Sequence, residues 1–432
     1  MSGTQTWKEK AAEAAFVNGF KGVMGTYYKA EPYIRRRIES NLVNKYDDKT
    51  ATFEGGEMEL LTQRNYEKAF VNLWKAETVA PYLGFQDASR ADKAAAVKDH
   101  VIVGAYHGEG AICEDDPTVE IDDLVAHVTS DEVRREFQEA YSPEQREAIC
   151  TIMSLLGHGE AYALYTSATL LPVVKGTGAK MGMAMQAMEE AKHFMVLREM
   201  LRTIDDIRPL KTSARMLFET VAGKDYYHKL FGMNVILESF ATNLFSHFED
   251  FPGLRHIMRA FHMDESRHCA FPQTYNSLGN IPEHVTHDPK YQRARMMMLV
   301  PALPIIFDYK PYFETLGLNV FEFFGRFVAK VTRLSERSGF PMPQKREDIL
   351  YGINNLFNAY VRNFEPEKYE GYRDYTLLRG GEISQDMADR EREVFGSDIF
   401  GGIGDMIAKM RIGKNAARSA RDAQRAVASM LN

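Results

Sequence analysis

Glu190-Ala191-Lys192-His193 and Glu265-Ser266-Arg267-His268 are two ExxH words, and upstream of each lies a lone glutamate, Glu160 and Glu238. Residues three apart on a helix differ by about 300° in azimuth and ~4.5 Å in rise, so each word sets a carboxylate and an imidazole on one face. Two such faces, with one inward carboxylate from each of two more helices, make four carboxylates and two imidazoles around a shared point. That is the donor set of a carboxylate-bridged di-metal site in a four-helix bundle.

The intervals fit this arrangement. Glu160 and Glu190 are 30 residues apart, Glu190 and Glu238 are 48 apart, and Glu238 and Glu265 are 27 apart. The first and third intervals each span one antiparallel helix-turn-helix excursion, and the middle one leaves room for a crossover. The surroundings weigh more than the spacing. Glu160 follows Leu155-Leu156-Gly157 and precedes Ala161-Tyr162-Ala163-Leu164, while Glu238 lies between Val235-Ile236-Leu237 and Phe240-Ala241. A carboxylate buried among such residues needs a metal, a proton or a partner.

Helix signals place the four rods. Ser142-Pro143-Glu144-Gln145 reads as a capping box with proline at the first helical position, and predicts a helix to about Leu171. The second rod is expected from Lys180 to Arg202, and a short helix from Ser213 to Val221 before Gly223. Asp225 is expected to cap the third rod, which runs to Phe248. The fourth is expected to begin at Pro252-Gly253 and to be disturbed at Pro272. Outside this core, helices are expected over Trp7 to Tyr28, Ile34 to Asn44, Thr62 to Leu83, Ala91 to His107, Gln292 to Leu299, Phe321 to Ser335 and Arg346 to Arg362. Gly108 to Asp123 reads as an acidic loop, and no alternating run is long enough for a sheet. The expected fold is therefore all-α, with an N-terminal helical wrap over 1–135, a di-metal bundle over 136–285 and a C-terminal helical extension over 286–432.

Composition narrows the function classes. The 432 residues are 45% hydrophobic and 26% charged with a net charge of -7, which gives no electrostatic case for nucleic acid. Cys113, Cys150 and Cys269 form no CxxC word and read as reduced thiols of a cytoplasmic protein. The first residues lack an apolar signal core, and the longest apolar run, Met296 to Phe307, is too short to span a membrane. Lys409, Arg411, Lys414, Arg418, Arg421 and Arg425 make a basic tail, which reads either as a solvated end or as a docking segment for an acidic redox protein or a second subunit.

Glu189-Glu190-Ala191-Lys192-His193 and Asp264-Glu265-Ser266-Arg267-His268 resemble the paired [DE]-E-x-[RK]-H words of the ferritin-like di-iron carboxylate proteins, the superfamily that includes the radical-generating subunit of ribonucleotide reductase. The resemblance implies a ferritin-like four-helix bundle. It also implies that Glu189 accepts the free ring N–H of His268 and that Asp264 accepts that of His193, fixing each tautomer. Gly159 to Ala163 and Glu238 to Phe245 are similar to the hydroxylase large subunit of the bacterial multicomponent monooxygenases, in which a threonine and an asparagine follow the third helix's glutamate as Thr242 and Asn243 do here. By spacing, Thr242 lies one turn beyond Glu238 on the same face, where its hydroxyl either reaches the space where O2 would sit or bonds back to the Glu238 carbonyl. His262, one turn before Glu265, is a candidate extra ligand by comparison with the arylamine oxygenases, whose histidine stands where this chain has Phe261.

The expected cofactors are two iron ions, or a manganese–iron pair, with O2. Gly401-Gly402-Ile403-Gly404 lacks the strand and spacing of a nucleotide fingerprint, so electrons are expected from an external reductase or ferredoxin. The reading is an O2-activating monooxygenase acting on a small apolar or aromatic substrate, as a homodimer or with a second subunit. Arylamine N-oxygenation, oxidation or desaturation are the nearer alternatives, and radical generation or ferroxidase storage the further ones. Leu197, where the radical-generating subunits carry a tyrosine, speaks against the former.

Overall fold

The computed structural model describes residues 7–38, 129–368 and 371–381. The helices expected over Thr62 to Leu83 and Ala91 to His107, the acidic loop, Cys113, the glycine-rich stretch and the basic tail lie outside the described residues. Among the described residues there are helices and no strand, and the clustered acidic and histidine side chains sit in a ferritin-like helix bundle. By compactness the chain divides into Asn18–Pro343 and a second unit made of Met1–Val17 with Gln344–Asn432.

The larger unit carries the bundle. Helix α1 spans Trp7–Arg37, with its part beyond Val17 in this unit, and α2 spans Asp131–Ala140. The first rod, α3 (Pro143–Leu170), starts where the capping box demands: Ser142 Oγ accepts from Gln145 N at 3.3 Å, and Gln145 Oε1 accepts from Ser142 N at 3.0 Å. It packs along α4 (Thr177–Ile204), the second rod. After α5 (Thr212–Ala222), Asp225 caps α6 (Tyr226–Phe231), which continues through a π-helical stretch, Gly232–Leu237, into α7 (Glu238–Phe248). This composite third rod packs along α8 (Arg255–Ser277), the fourth, while α4 meets α8 and α3 meets the π stretch. Around them lie α9 (Glu283–His287), α10 (Pro289–Met298), α11 (Ala302–Thr315) and α12 (Val320–Arg337). Contacts of α11 with α3 and of α12 with α7 shield the outer faces of two rods.

One expected helix boundary is corrected. Helix α1 does not break into two, because it runs through Pro32 to Arg37. A proline removes one N–H but not the packing on either side of it; Phe20 meets Phe307 edge-on at 5.0 Å, and Glu31 accepts a hydrogen bond from Thr212. At Pro272 the expected disturbance is confined to one hydrogen bond, and α8 continues to Ser277. Pro272 cannot donate to the carbonyl of His268 four residues back, and a side chain donates instead: Asn234 Nδ2 reaches that oxygen at 3.0 Å.

In the smaller unit, α13 (Arg346–Phe364) fastens the segment 371–381 through its asparagines. Asn354 Nδ2 donates to Asp374 Oδ1 at 2.9 Å, Asn354 Oδ1 accepts from Tyr375 N at 2.8 Å, and Asn358 Nδ2 donates to Arg373 O at 2.8 Å.

No local sequence signal announces the π stretch. The N–H of Glu238 donates to Met233 O, five residues back, so one extra residue is wound into the rod just before the glutamate. Its first residue, Gly232, lies so close to its neighbours that an added Cβ would stand 2.7 Å from Met298 Cε and 2.8 Å from Val221 Cγ1. Gly232→Ala is therefore expected to overpack this contact and to cost about 1–3 kcal/mol. A thermal melt checks this: Tm falls, and an unchanged Tm refutes the close-packing argument.

Candidate metal centre

The four rods deliver Glu160 from α3, Glu190 and His193 from α4, Glu238 from the start of α7, and Glu265 and His268 from α8. All six are between 0% and 3% exposed. They converge as two groups, Glu160, Glu190, His193 and Glu265 in one, and Glu190, Glu238, Glu265 and His268 in the other. In each group one donor atom per residue lies within 4.8 Å of the others. Glu190 and Glu265 belong to both groups, which is the placement that two bridging carboxylates require.

The imidazoles are held from behind. His193 Nε2 lies 3.0 Å from Asp264 Oδ2, and His268 Nε2 lies 2.9 Å from Glu189 Oε2. Each Nε2–H thus has a carboxylate acceptor, which turns Nδ1 toward the centre. His193 Nδ1 stands 2.9 Å from Glu265 Oε1, and His268 Nδ1 stands 2.8 Å from Glu265 Oε2. The two outer acids are themselves paired. Arg267 donates to Glu189 Oε1 at 2.6 Å and also to Asp264, and Lys192 Nζ donates to Asp264 Oδ2 at 2.7 Å.

Orphaned atoms test whether cations fit. Glu160 Oε1, Glu190 Oε2, His193 Nδ1 and Glu265 Oε1 are buried without a hydrogen-bond partner, one from every member of the first group. Buried polar atoms are seldom left unpaired, and a single cation among these four would satisfy them together. Charge gives the same answer, since four carboxylates balance two divalent ions.

Left to the protein's own charges, the donors balance themselves with protons. Burial pushes Glu160 and Glu238 well above the ordinary carboxylate range, and the charges of Glu265 and Glu190 push the same way. Burial also pushes Glu190 and Glu265 upward. There, however, the charge of the imidazoles, that of His268 foremost, prevails, and Glu190 lies below and Glu265 well below the ordinary value. Burial opposes charge on His193 and His268, yet the surrounding carboxylates hold both well above an ordinary histidine.

The remaining residues singled out in the sequence fall around this core. Thr242 is buried, and its hydroxyl donates to Glu238 O at 2.7 Å, the back-bond common for a threonine inside a helix. It also accepts from Lys330 Nζ of α12. Asn243 Nδ2 donates to Phe323 O at 2.9 Å. His262 is in neither group; its Nδ1 lies 3.8 Å from Glu249 Oε2, and burial together with the Lys330 charge pushes it down to about 4. Cys269 is free and buried, which raises its thiol, and Cys150 is likewise free and buried.

Three features escaped the sequence reading. Gln186 Nε2 donates to Glu238 Oε1 at 2.6 Å and to Glu190 Oε1 at 3.3 Å, and Gln186 Oε1 accepts from Asn234 Nδ2 at 2.8 Å. Both amides stand four residues before a carboxylate of the site, a helical interval that would have flagged them. Lys330 carried no such signal, being 88 residues from the Thr242 it touches. An apolar cavity lined by Leu156, Ala163, Phe218 and Phe240 opens onto Glu160 and Glu238.

Comparison with protein-family models, curated proteins and solved structures finds no match to this chain. No helix among the described residues is long and apolar enough to cross a membrane.

Cation binding here must displace protons from Glu160, Glu238, His193 and His268, whose affinities for protons are all raised. Affinity for a divalent ion is therefore expected to rise with pH by more than about tenfold per pH unit, with the rise lying above the ordinary carboxylate range. Calorimetric titration with Mn(II) in buffers of different ionisation enthalpy counts the protons released. A pH-independent affinity would contradict this electrostatic account.

Proposed function

We propose that the chain is an O2-activating di-iron oxygenase that inserts oxygen into a small apolar or aromatic substrate, with electrons from an external reductase or ferredoxin. The observation that carries this reading is the pair of buried groups sharing Glu190 and Glu265. Glu160 and His193 would hold one ion, Glu238 and His268 the other, and the two shared carboxylates would bridge them. Bound there, two ferrous ions supply electrons to O2, chemistry that hard oxygen donors with two imidazoles suit.

The protein's part is positioning and exclusion. Asp264 and Glu189 fix the imidazoles, and the Phe261 ring against His193, 4.2 Å between centroids, keeps water from that side. The cavity at Glu160 and Glu238 is apolar in its lining apart from those two carboxylates, which favours O2 or an apolar group there over a polar one. Thr242 Oγ1, gripped by Lys330, is assigned the handling of a proton one turn beyond Glu238. Arg267 is 54% exposed and joins both outer acids, so the hydrogen-bonded route from solvent to the two histidines suits electron delivery from a docked partner.

Metal analysis after anaerobic iron reconstitution is expected to give two ions per chain. O2 consumption driven by a generic ferredoxin and reductase is expected to follow, with an oxygenated product from a panel of arenes and alkenes. Glu190→Ala removes a shared ligand and is expected to lose both. One ion or none in the folded wild type, or Glu190→Ala keeping two ions and activity, would refute the reading.

A further inference from the structure

The two metal positions differ in what the protein already does with their donor atoms. In the first group each residue has an atom with no hydrogen-bond partner. In the second, an amide occupies two of the carboxylates: Gln186 Nε2 sits 2.6 Å from Glu238 Oε1 and 3.3 Å from Glu190 Oε1. Gln186 is 2% exposed and Asn234 0%, so water does not compete for these bonds.

The direction in which Gln186 faces is fixed by covalent structure. Pro272 has no N–H, so the carbonyl of His268 lacks its helical donor and takes one from Asn234 Nδ2. A carbonyl only accepts, so Asn234 must turn its NH2 that way. The same NH2 also meets Gln186, which must then turn its oxygen to Asn234 and its own NH2 to the carboxylates. The chain from Pro272 through His268 O, Asn234 and Gln186 to Glu238 admits one orientation of both amides. Gln186 is therefore a donor, not a ligand, at the second position.

We propose that Gln186, oriented by Asn234, is a positioning residue that holds Glu238 to ligation through one oxygen and makes the second metal position the weaker and later-filled of the two. A cation at the first position meets free donor atoms. A cation at the second competes with a charge-assisted amide bond on Glu238 and a longer one on Glu190. The consequence is ordered filling, with a one-metal species on the way and room for a different ion in the later position. This inference rests on the di-metal reading.

The test is an anaerobic titration of the metal-free chain with Mn(II), followed by electron paramagnetic resonance and calorimetry, on wild type, Gln186→Leu and Asn234→Leu. Wild type is expected to show an uncoupled single-manganese spectrum over the first equivalent and a coupled pair over the second. Its two dissociation constants are expected to lie more than about tenfold apart, the scale of one hydrogen bond to a charged group. In either variant the separation is expected to shrink by about tenfold, with the coupled spectrum present from the first additions. Circular dichroism identifies any variant that fails to fold, and the other variant with the wild-type profile then decides. Filling of both wild-type positions together, or a folded variant that keeps the wild-type separation, overturns the inference while leaving the di-metal reading intact. Wild type binding fewer than two ions overturns both.

Discussion

Four carboxylates brought to one point inside an apolar bundle repel each other in a medium that screens them poorly, and everything around them answers that repulsion. Charge is layered outward from the centre. The glutamates face two imidazoles, the imidazoles are backed by Asp264 and Glu189, and those acids are backed by Lys192 and Arg267. Each layer has the opposite sign to the one before it, and Arg267 carries the last of them to solvent. A buried charge without such company costs several kcal/mol, so removing an outer partner is felt at the centre. The histidines' raised proton affinity is this field seen from one layer.

Helices suit such a centre because they satisfy their own backbone, leaving only side chains to be balanced. Where the backbone departs from that rule, the site uses the departure. The π stretch before Glu238 winds in one residue and brings Asn234 toward α8, and Pro272 leaves a carbonyl on α8 for Asn234 to meet. Two irregularities, each unfavourable alone, complete each other across the third and fourth rods.

What the sequence disclosed follows from which physical signals are local. The paired ExxH words and the apolar setting of Glu160 and Glu238 can be read because helical period and burial cost act over a few residues. For the same reason Ser142 and Asp225 announced the starts of α3 and of the third rod. The boundary expected between Tyr28 and Ile34 is absent because the cost of the hydrogen bond lost at Pro32 is local while the packing that outweighs it is not. The π stretch left no trace, since Gly232-Met233-Asn234-Val235-Ile236-Leu237 is ordinary helical sequence and only the close approach of Val221 and Met298 to Gly232 marks it. Lys330 could not be placed near Thr242 at all, because α12 is set there by its aromatic packing against α7.

Thr242 shows how far geometry refines a motif. From spacing alone its hydroxyl could either serve the centre or bond back to its own helix, and in the structure it does the latter while accepting from Lys330. Burial pulls Lys330 below an ordinary lysine, so its ammonium sits in that environment under strain. The charges of Glu238 and Glu265 at the centre favour its ammonium, and that of Arg333 opposes it. The ammonium that holds the oxygen of Thr242 thus feels the charge of the centre as well.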